Sequence, residues 1–408
     1  MTRESGQSTE AGASENSAVS EAPPPTVRLQ ISAAKKLNLA AFQNAVPALY
    51  ELVIVNETSS PISELTVQLI SEPPFVKPRV WNVESVGAGE SYHLRDLDVQ
   101  LDGALLSRLT EAESASLHFE LRSRKQSDEV LAKNDSTVEL LARNQWGGIG
   151  HLPEMVAAFV QPNDQAIDRL LKGAALALQT GGKSGSIDGY THGSKRAWEL
   201  ASGIWAAVLQ RKLNYALPPA SFEHTGQKVR SPSQVLDGGL ATCLDLALLF
   251  AACLEQAHLN PLLVFTRGHA FVGVWLREEE FSTSVVDDIT AVRKRLKLQE
   301  MLVFETTLAA QGQAVSFSQA IANANRQLSE EEEDKFELVI DVKRARMSRI
   351  KPLAQAYAVA EAVPVEVEPE GTIGIEDAPD LPDEAITDTP TSELDPKDRL
   401  ARWQRKLL

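Results

Sequence analysis

The chain's options are narrowed most by one stretch, Val235 to Thr307, which contains VLDGGLATCLDLALLFAACLEQAHLNPLLVFTRGHAFVGVWL and ends in LVFETT. It reads as a Gly-Gly turn, a long apolar helix with Cys243 in its first turn, and two apolar strands. The second strand opens on His269 and a third ends on Glu305. At a helix N-terminus the macrodipole and the unpaired backbone N–H groups favour an anion, so a thiol there is placed to act as a thiolate. An imidazole and a carboxylate on neighbouring strands are the other two parts of a Cys-His-acid relay. Cys253, mid-helix among Leu and Ala, reads instead as a small buried hydrophobe.

GGLATCLDLALLFAACLEQAHLNPLLV followed by GHAFVGVWL resembles the core of the transglutaminase-like cysteine-enzyme superfamily, a circular variation on the papain-like theme, across residues 150 to 330. The usual pattern there is a Gly-x-Cys-x-x-x-Ala helix, a His-Ala-aromatic-Val strand and a strand ending in apolar-Asp-x-Thr. The resemblance implies that Cys243 is the nucleophile, His269 its base and Glu305 the orienting acid. This chain has Glu where the pattern has Asp, Gly273 where an acidic residue is common, and a charged insert between the His and acid strands. The insert carries Asp287 and Asp288, rival candidates for the third position. The segment before the Cys helix, LNYALPPASFEHTGQKVRSPSQVL, is expected to line one side of the cleft, with His224 in it. The chemistry implied is that of a cysteine protease or amidase acting on a protein or peptide, without cofactor or metal. The alternative is a catalytically inactive sensing or docking platform.

The net charge of −16 is concentrated in one place: between Pro352 and Pro396 there are twelve acidic residues and no Lys or Arg. The rest is near balance, so no basic field exists to hold nucleic acid directly. No apolar run reaches membrane-span length and the N-terminus lacks a charged region followed by an apolar one, so the expectation is a cytoplasmic protein with no membrane partner.

The expected architecture is multidomain. Residues 1–25 form a disordered tail. Residues 26–143, with alternating runs VRLQIS, ALYELVIVNE, LTVQLIS, SYHLRDLDVQL, SLHFELRS and STVELLAR, form an all-β antiparallel sandwich; YELVIVNETSSPISELTVQLISEP resembles the strand-turn-strand of bacterial immunoglobulin-like modules, which implies an immunoglobulin-like sandwich. Asn144–Gly150 reads as a hinge, and residues 150–352 form the α+β transglutaminase-like (papain-like) domain. Within it, amphipathic helices around Met155–Thr180 and Gly193–Leu213 should pack on a sheet, and FELVIDVKRARMSRI should complete that sheet. Ala177-Leu-Gln-Thr-Gly-Gly-Lys183-Ser184 falls one Gly short of a phosphate-binding loop and follows a helical run, so it reads as a helix C-terminal turn. An acidic disordered linker, 353–394, is followed at 395–408 by the start of a capped amphipathic helix with Leu400, Trp403 and Leu407 on one face. ELDPKDRLARWQRKLL resembles the segment that opens the motor in large bacterial proteins carrying a superfamily 1 helicase and a Vsr-like nuclease. That resemblance implies a helicase–nuclease part as partner, in cis or in trans, and a setting of DNA processing or phage defence.

Overall fold

The computed structural model describes residues 26–126, 129–312, 314–354 and 374–382. The tail at 1–25 and the helix expected at 395–408 lie outside the described residues. The N-terminal part contains β1 (Val27–Ala33), β2 (Lys36–Leu37), helix α1 (Leu39–Gln43), β3 (Leu49–Asn56), β4 (Ile62–Glu72), β5 (Arg79–Val86), β6 (Ser91–His93), helix α2 (Gly103–Arg108), β7 (Glu113–Ser123) and β8 (Glu129–Leu140). They form two sheets, β1-β3-β6 and β2-β8-β7-β4-β5. Alternate residues Leu65, Val67 and Leu69 of β4 and Leu117, Phe119 and Leu121 of β7 share one core with Leu29, Leu52 and Ile54 of the other sheet. The period-2 pattern therefore carries the burial, as expected of strands with one wet face.

Two features differ from the all-β expectation. Short helices α1 and α2 are present, each started by a side-chain cap, from Asn38 to Ala41 N–H and from Asp102 to Leu105 N–H. SYHLRDLDVQL is a strand only over Ser91–His93, whereas RVWNVESV, with Trp81 and Val83 turned inward, makes the edge strand β5. His93 and His118 are ordinary surface residues beside Glu51 and Asp135 respectively.

Asn144–Gly150 is a stitch and no hinge. Gln145–Trp146 forms β9. It pairs antiparallel with Gln227–Lys228 (below, β11), and the buried Trp146 ring lies 5.1 Å from Phe265. Lys36 donates to Gly147 O and Thr225 O, Asn38 to Gln145 O, and Asn144 to Val229 O. An apolar Trp was placed in the linker because this linker has a core to enter. At the same seam Gly148 and Gly226 both have φ +86, and a Cβ on either would collide with backbone, at His224 O and Trp146 O respectively. Gly226→Ala is therefore expected to cost about 2 kcal/mol or more through strain and a forced backbone shift, read as a lowered urea midpoint.

The second part runs α3 (Gln165–Thr180), α4 (Gly193–Leu209), β10 (Asn214–Tyr215), α5 (Phe222–Thr225), β11 (Gln227–Lys228), α6 (Pro232–Gly238), β12 (Leu240–Ala241), α7 (Cys243–Gln256), β13 (Pro261–Thr266), β14 (His269–Trp275), β15 (Val285–Val286), α8 (Ile289–Lys297), β16 (Met301–Phe304), α9 (Phe317–Gln327), β17 (Phe336–Asp341) and α10 (Val342–Met347). The sheet order is β15-β17-β13-β14-β16, all antiparallel. PLLVFT and FVGVW are unbroken apolar runs because both faces are covered. Leu263, Phe265, Val272 and Val274 face the core that contains α7, and Leu262, Val264, Phe271 and Trp275 face a second core with Ile289 and Val292 of α8. Helices α3 and α4 pack on each other and on α7, one layer removed from the sheet. That explains why nearly every residue of α4 is buried, where an amphipathic helix lying on a sheet would keep a wet face.

FELVID is the strand β17, but the following VKRARM is a helix that Asp341 caps by accepting from Arg344 N–H. Alternation ends there because Asp341, fully buried, also accepts from Trp275 Nε1 and Phe281 N–H. Burial pushes its carboxyl above the usual range, opposed by those N–H donors. In α10, Arg346 forms a bidentate pair with Glu255 of α7 (2.8 and 2.9 Å) and donates to Ala157 O, Val160 O and Ile350 O. Arg346→Ala would orphan a half-buried carboxylate and three carbonyls, with an expected loss of about 3 kcal/mol measurable by equilibrium urea unfolding.

Ala177–Ser184 closes α3: Gly181 is the C-cap and Lys183 pairs with Asp377 at 2.5 Å. Asp377 belongs to the expected disordered linker, whose residues 374–382 instead lie against this domain. Ile375 packs at Gly181, and Glu376 accepts from the Ser318 N–H at 3.1 Å. An acidic composition predicted self-repulsion, but two of its carboxylates meet a lysine and a helix start. No helix among the described residues is long and apolar enough to cross a membrane.

Candidate active site

Cys243 is the first residue of α7, and the local sequence holds that start in place by several bonds. Thr242 and Asp245 form a reciprocal capping box, each side chain accepting from the other's backbone N–H. Asp245, buried, also accepts from Arg230 N–H and Arg230 Nη1, both at 2.7 Å, and Gln227 Nε2 donates to Thr242 Oγ1 at 3.0 Å. The short strands β10 and β12 pair in parallel just before the helix. An N–H at the first helical position has no acceptor within its helix, so the Cys243 N–H is free to serve a ligand.

His269 opens β14 after the tight Arg267-Gly268 turn, where Gly268 has φ +69. The Gly268 N–H donates to Glu223 Oε1 at 2.8 Å, so a buried carboxylate from α5 fixes the turn that aims the imidazole. Glu305 follows the last residue of β16. Extending the β14–β16 register past Val272–Phe304 sets Glu305 opposite Phe271, two residues from His269 along its strand. Phe304 is locked by Phe250 of α7 (5.3 Å) and Phe317 of α9 (5.1 Å), which anchors its neighbour.

The structure brings Cys243, His269 and Glu305 together. His269 Nε2 lies 2.7 Å from Glu305 Oε2, and the Cys243 thiol is within hydrogen-bonding reach of the imidazole. With Nε2 engaged by the carboxylate, Nδ1 is the nitrogen left for sulfur. Burial acts to lower the His269 pKa, but its bonds to Cys243 and Glu305 prevail and push it up to about 10. Glu305 is held below the usual carboxylate range: burial works against this, and the His269 and Thr307 bonds overcome it. Its Oε1 accepts from Thr307 N–H (2.9 Å) and Oγ1 (2.7 Å), while Oε2 also accepts from Gln327 Nε2 (2.5 Å). Every lone pair facing the protein is used, which is how a buried carboxylate stays ionised.

The rival acids are elsewhere. Asp287 and Asp288 follow the edge strand β15, which β17 and β13 separate from His269 on β14, a gap of about 14 Å at normal strand spacing. Both are exposed, and Asp288 caps α8 by accepting from Thr290 N–H. His224 lies exposed on α5, 3.5 Å from Glu337. Cys253, on the same helix as Cys243, is fully enclosed, and burial alone pushes its thiol far up.

Three participants were not legible in the sequence: Glu223, Gln327 and Tyr215. The Tyr215 phenol is within hydrogen-bonding reach of the Cys243 thiol; burial first, then the sulfur and the Glu305 charge, raise its pKa. Tyr215 and Glu223 lie in the segment expected to line the cleft, but nothing in its composition singles them out, and Gln327 lies in a helix of ordinary polar composition. Among the described residues no group of three or more His, Cys, Asp or Glu is placed to hold a metal ion.

No family model matches the chain, and no curated protein matches it. Among solved structures, the crystal structure of the CARDB domain of the PF1109 protein from Pyrococcus furiosus, in complex with di-metal ions, is similar at 16% identity, covering 28% of this chain and 86% of that one, with a TM-score of 0.19. A likeness at that score carries no weight for fold or site.

Proposed function

We propose that this chain carries a cysteine hydrolase of the transglutaminase-like kind, with Cys243 as nucleophile, His269 as acid–base and Glu305 as orienting acid, following an immunoglobulin-like sandwich. One observation supports the reading above the others: a single imidazole lies within reach of the thiol and is bonded at 2.7 Å to a fully satisfied buried carboxylate. With His269 held protonated, the proton lies on Nδ1 and the sulfur acts as the thiolate of a thiolate–imidazolium pair. Sulfur attacks an amide or ester carbonyl carbon; the C–S bond forms as the carbonyl π pair moves to oxygen, where the Cys243 N–H at the helix start can receive the charge. The C–N or C–O bond then breaks as the Nδ1 proton passes to the leaving group. Water, deprotonated by the neutral imidazole, adds to the thioester and releases acid and thiol. Glu305 keeps the ring oriented and the imidazolium stable throughout.

The test is a burst assay with p-nitrophenyl acetate and peptide mass spectrometry. A burst with an acetyl adduct on Cys243, lost in Cys243→Ala, is expected; acetylation of surface lysines alone would overturn the reading.

A platform without catalysis is the second reading, favoured by one fact: Cys243 has no exposed surface. A helicase–nuclease setting remains part of the proposal through residues 395–408, outside the described residues. Pull-down of a helicase or nuclease by the full chain, lost on deleting 395–408, would support it.

A further inference from the structure

Gly181 ends α3 at φ −79 and ψ 9, a backbone that any residue adopts, so its being glycine has another cause. A Cβ there would stand 2.8 Å from Ile375 Cβ and 3.2 Å from Ile375 Cγ1. The missing side chain makes the seat for Ile375. Gly181-Gly182-Lys183-Ser184, which reads as a defective phosphate-binding loop, is thus one wall of a groove that residues 374–382 fill.

A second wall is the start of α9. Glu376 accepts from the Ser318 N–H at 3.1 Å and from the Ser318 hydroxyl, so a carboxylate meets the positive end of an eleven-residue helix. Asp377 pairs with Lys183 at 2.5 Å. Ile375, Ala378 and Leu381, spaced by three, are half-buried against the core, while Asp377, Pro379 and Asp380 between them are exposed. That spacing, with Pro379 and Pro382, suits an extended chain of three residues per turn.

We propose that this groove is a docking site for a partner protein, that it recognises an extended acidic segment of the form Ile-Glu-Asp-x-x-x-Leu, and that residues 374–382 are its resident, displaceable occupant. The site stands whether or not Cys243 is catalytic. The seat itself specifies the partner's chemistry. The notch over Gly181 takes an aliphatic side chain, the α9 start takes a carboxylate directly after it, and Lys183 and Lys195 both favour the charge on the next residue. A basic segment would meet both lysines and the positive helix end. Displacement follows from the scale of the contacts: three half-buried apolar side chains, one carboxylate at a helix start, and an ion pair whose Asp377 side chain is 91% exposed. Covalent attachment raises the effective concentration of the resident to about millimolar, which keeps the groove filled until a tighter partner arrives.

The test uses the full chain and a fluorescein-labelled synthetic peptide of residues 374–382, with binding read by anisotropy. Ile375→Asp combined with Glu376→Lys is expected to release the resident, and the released chain should bind the peptide at least tenfold tighter than wild type does. In that background Gly181→Val, which fills the notch, should weaken binding at least tenfold. Lys183→Glu should weaken it at least threefold, and a peptide carrying Asp377→Lys should recover the loss. Recovery cannot come from a misfolded chain, so this pair decides the matter even where Gly181→Val disturbs the helix end. Equal affinity of the released and wild-type chains, or a Lys183→Glu loss that the reversed peptide does not recover, overturns the docking site. If the released chain ignores the peptide and instead self-associates in sedimentation, the face belongs to a second copy and the partner is overturned.

Discussion

Replacing His269 by alanine is expected to slow acyl transfer from p-nitrophenyl acetate to Cys243 by about 10²- to 10⁴-fold, the span typical of a lost positioned acid–base. The size follows from how much of the site converges on this ring. Both the thiol and the Glu305 carboxylate act on this ring, and their bonds to it are what hold His269 protonated. Stability should also fall at pH 7, by about 3 kcal/mol, because the imidazolium paired with Glu305 is lost although Gln327 and Thr307 remain as donors to the carboxylate. A rate loss no larger than the unfolded fraction would indicate that the ring is a strut. A rate loss that persists where the variant is fully folded indicates that it transfers protons. Burst amplitude and equilibrium unfolding on the same samples decide between them.

The relay residues could be named from sequence for a physical reason. Each sits at an element boundary that short-range pattern reveals: a helix start after Gly-Gly, a strand start after Arg-Gly, a strand end before Thr-Thr. Choosing among acids could not be done that way. Glu305, Asp287 and Asp288 are all carboxylates near strand ends, and only the order β15-β17-β13-β14-β16 puts the first beside His269 and the others across the sheet. Glu223 and Tyr215 lie in the segment expected to line the cleft, but which of its side chains reach the site depends on how it folds against the Cys helix and the His strand, so their roles were not marked. The Asn144–Gly150 stretch shows the same limit in the fold. Three glycines in seven residues look like a flexible joint, whereas φ +86 at Gly148 and close backbone contact make glycine necessary for tight packing there.

Changing Glu305 to glutamine should flatten the pH dependence of stability, and changing it to alanine should nearly unfold the site. In wild type, His269 is raised from 6.5 to about 10, so the stability it contributes is fully present below pH 6.5 and is lost as pH climbs toward 10. Glu305 is depressed, so its share is present above about pH 4.5 and is lost as pH falls through its lower folded value. The urea midpoint should therefore be highest between those limits and decline on the alkaline side by the order of 3 kcal/mol by pH 9.5, allowing for partial solvent screening. Glu305→Gln keeps the shape and an acceptor for Thr307 but removes the charge. Burial then acts on His269 with one fewer opposing partner, its pKa drops, and the alkaline decline shrinks or disappears. Glu305→Ala leaves His269, Gln327 Nε2, Thr307 N–H and Thr307 Oγ1 without their acceptor, an expected cost of about 3 to 5 kcal/mol at pH 7. An alkaline slope that survives Glu305→Gln unchanged would mean that the carboxylate does not sustain the imidazolium. The proton would then be held by the thiolate alone, and Glu305 would be a structural cap for the Thr306–Ala310 turn.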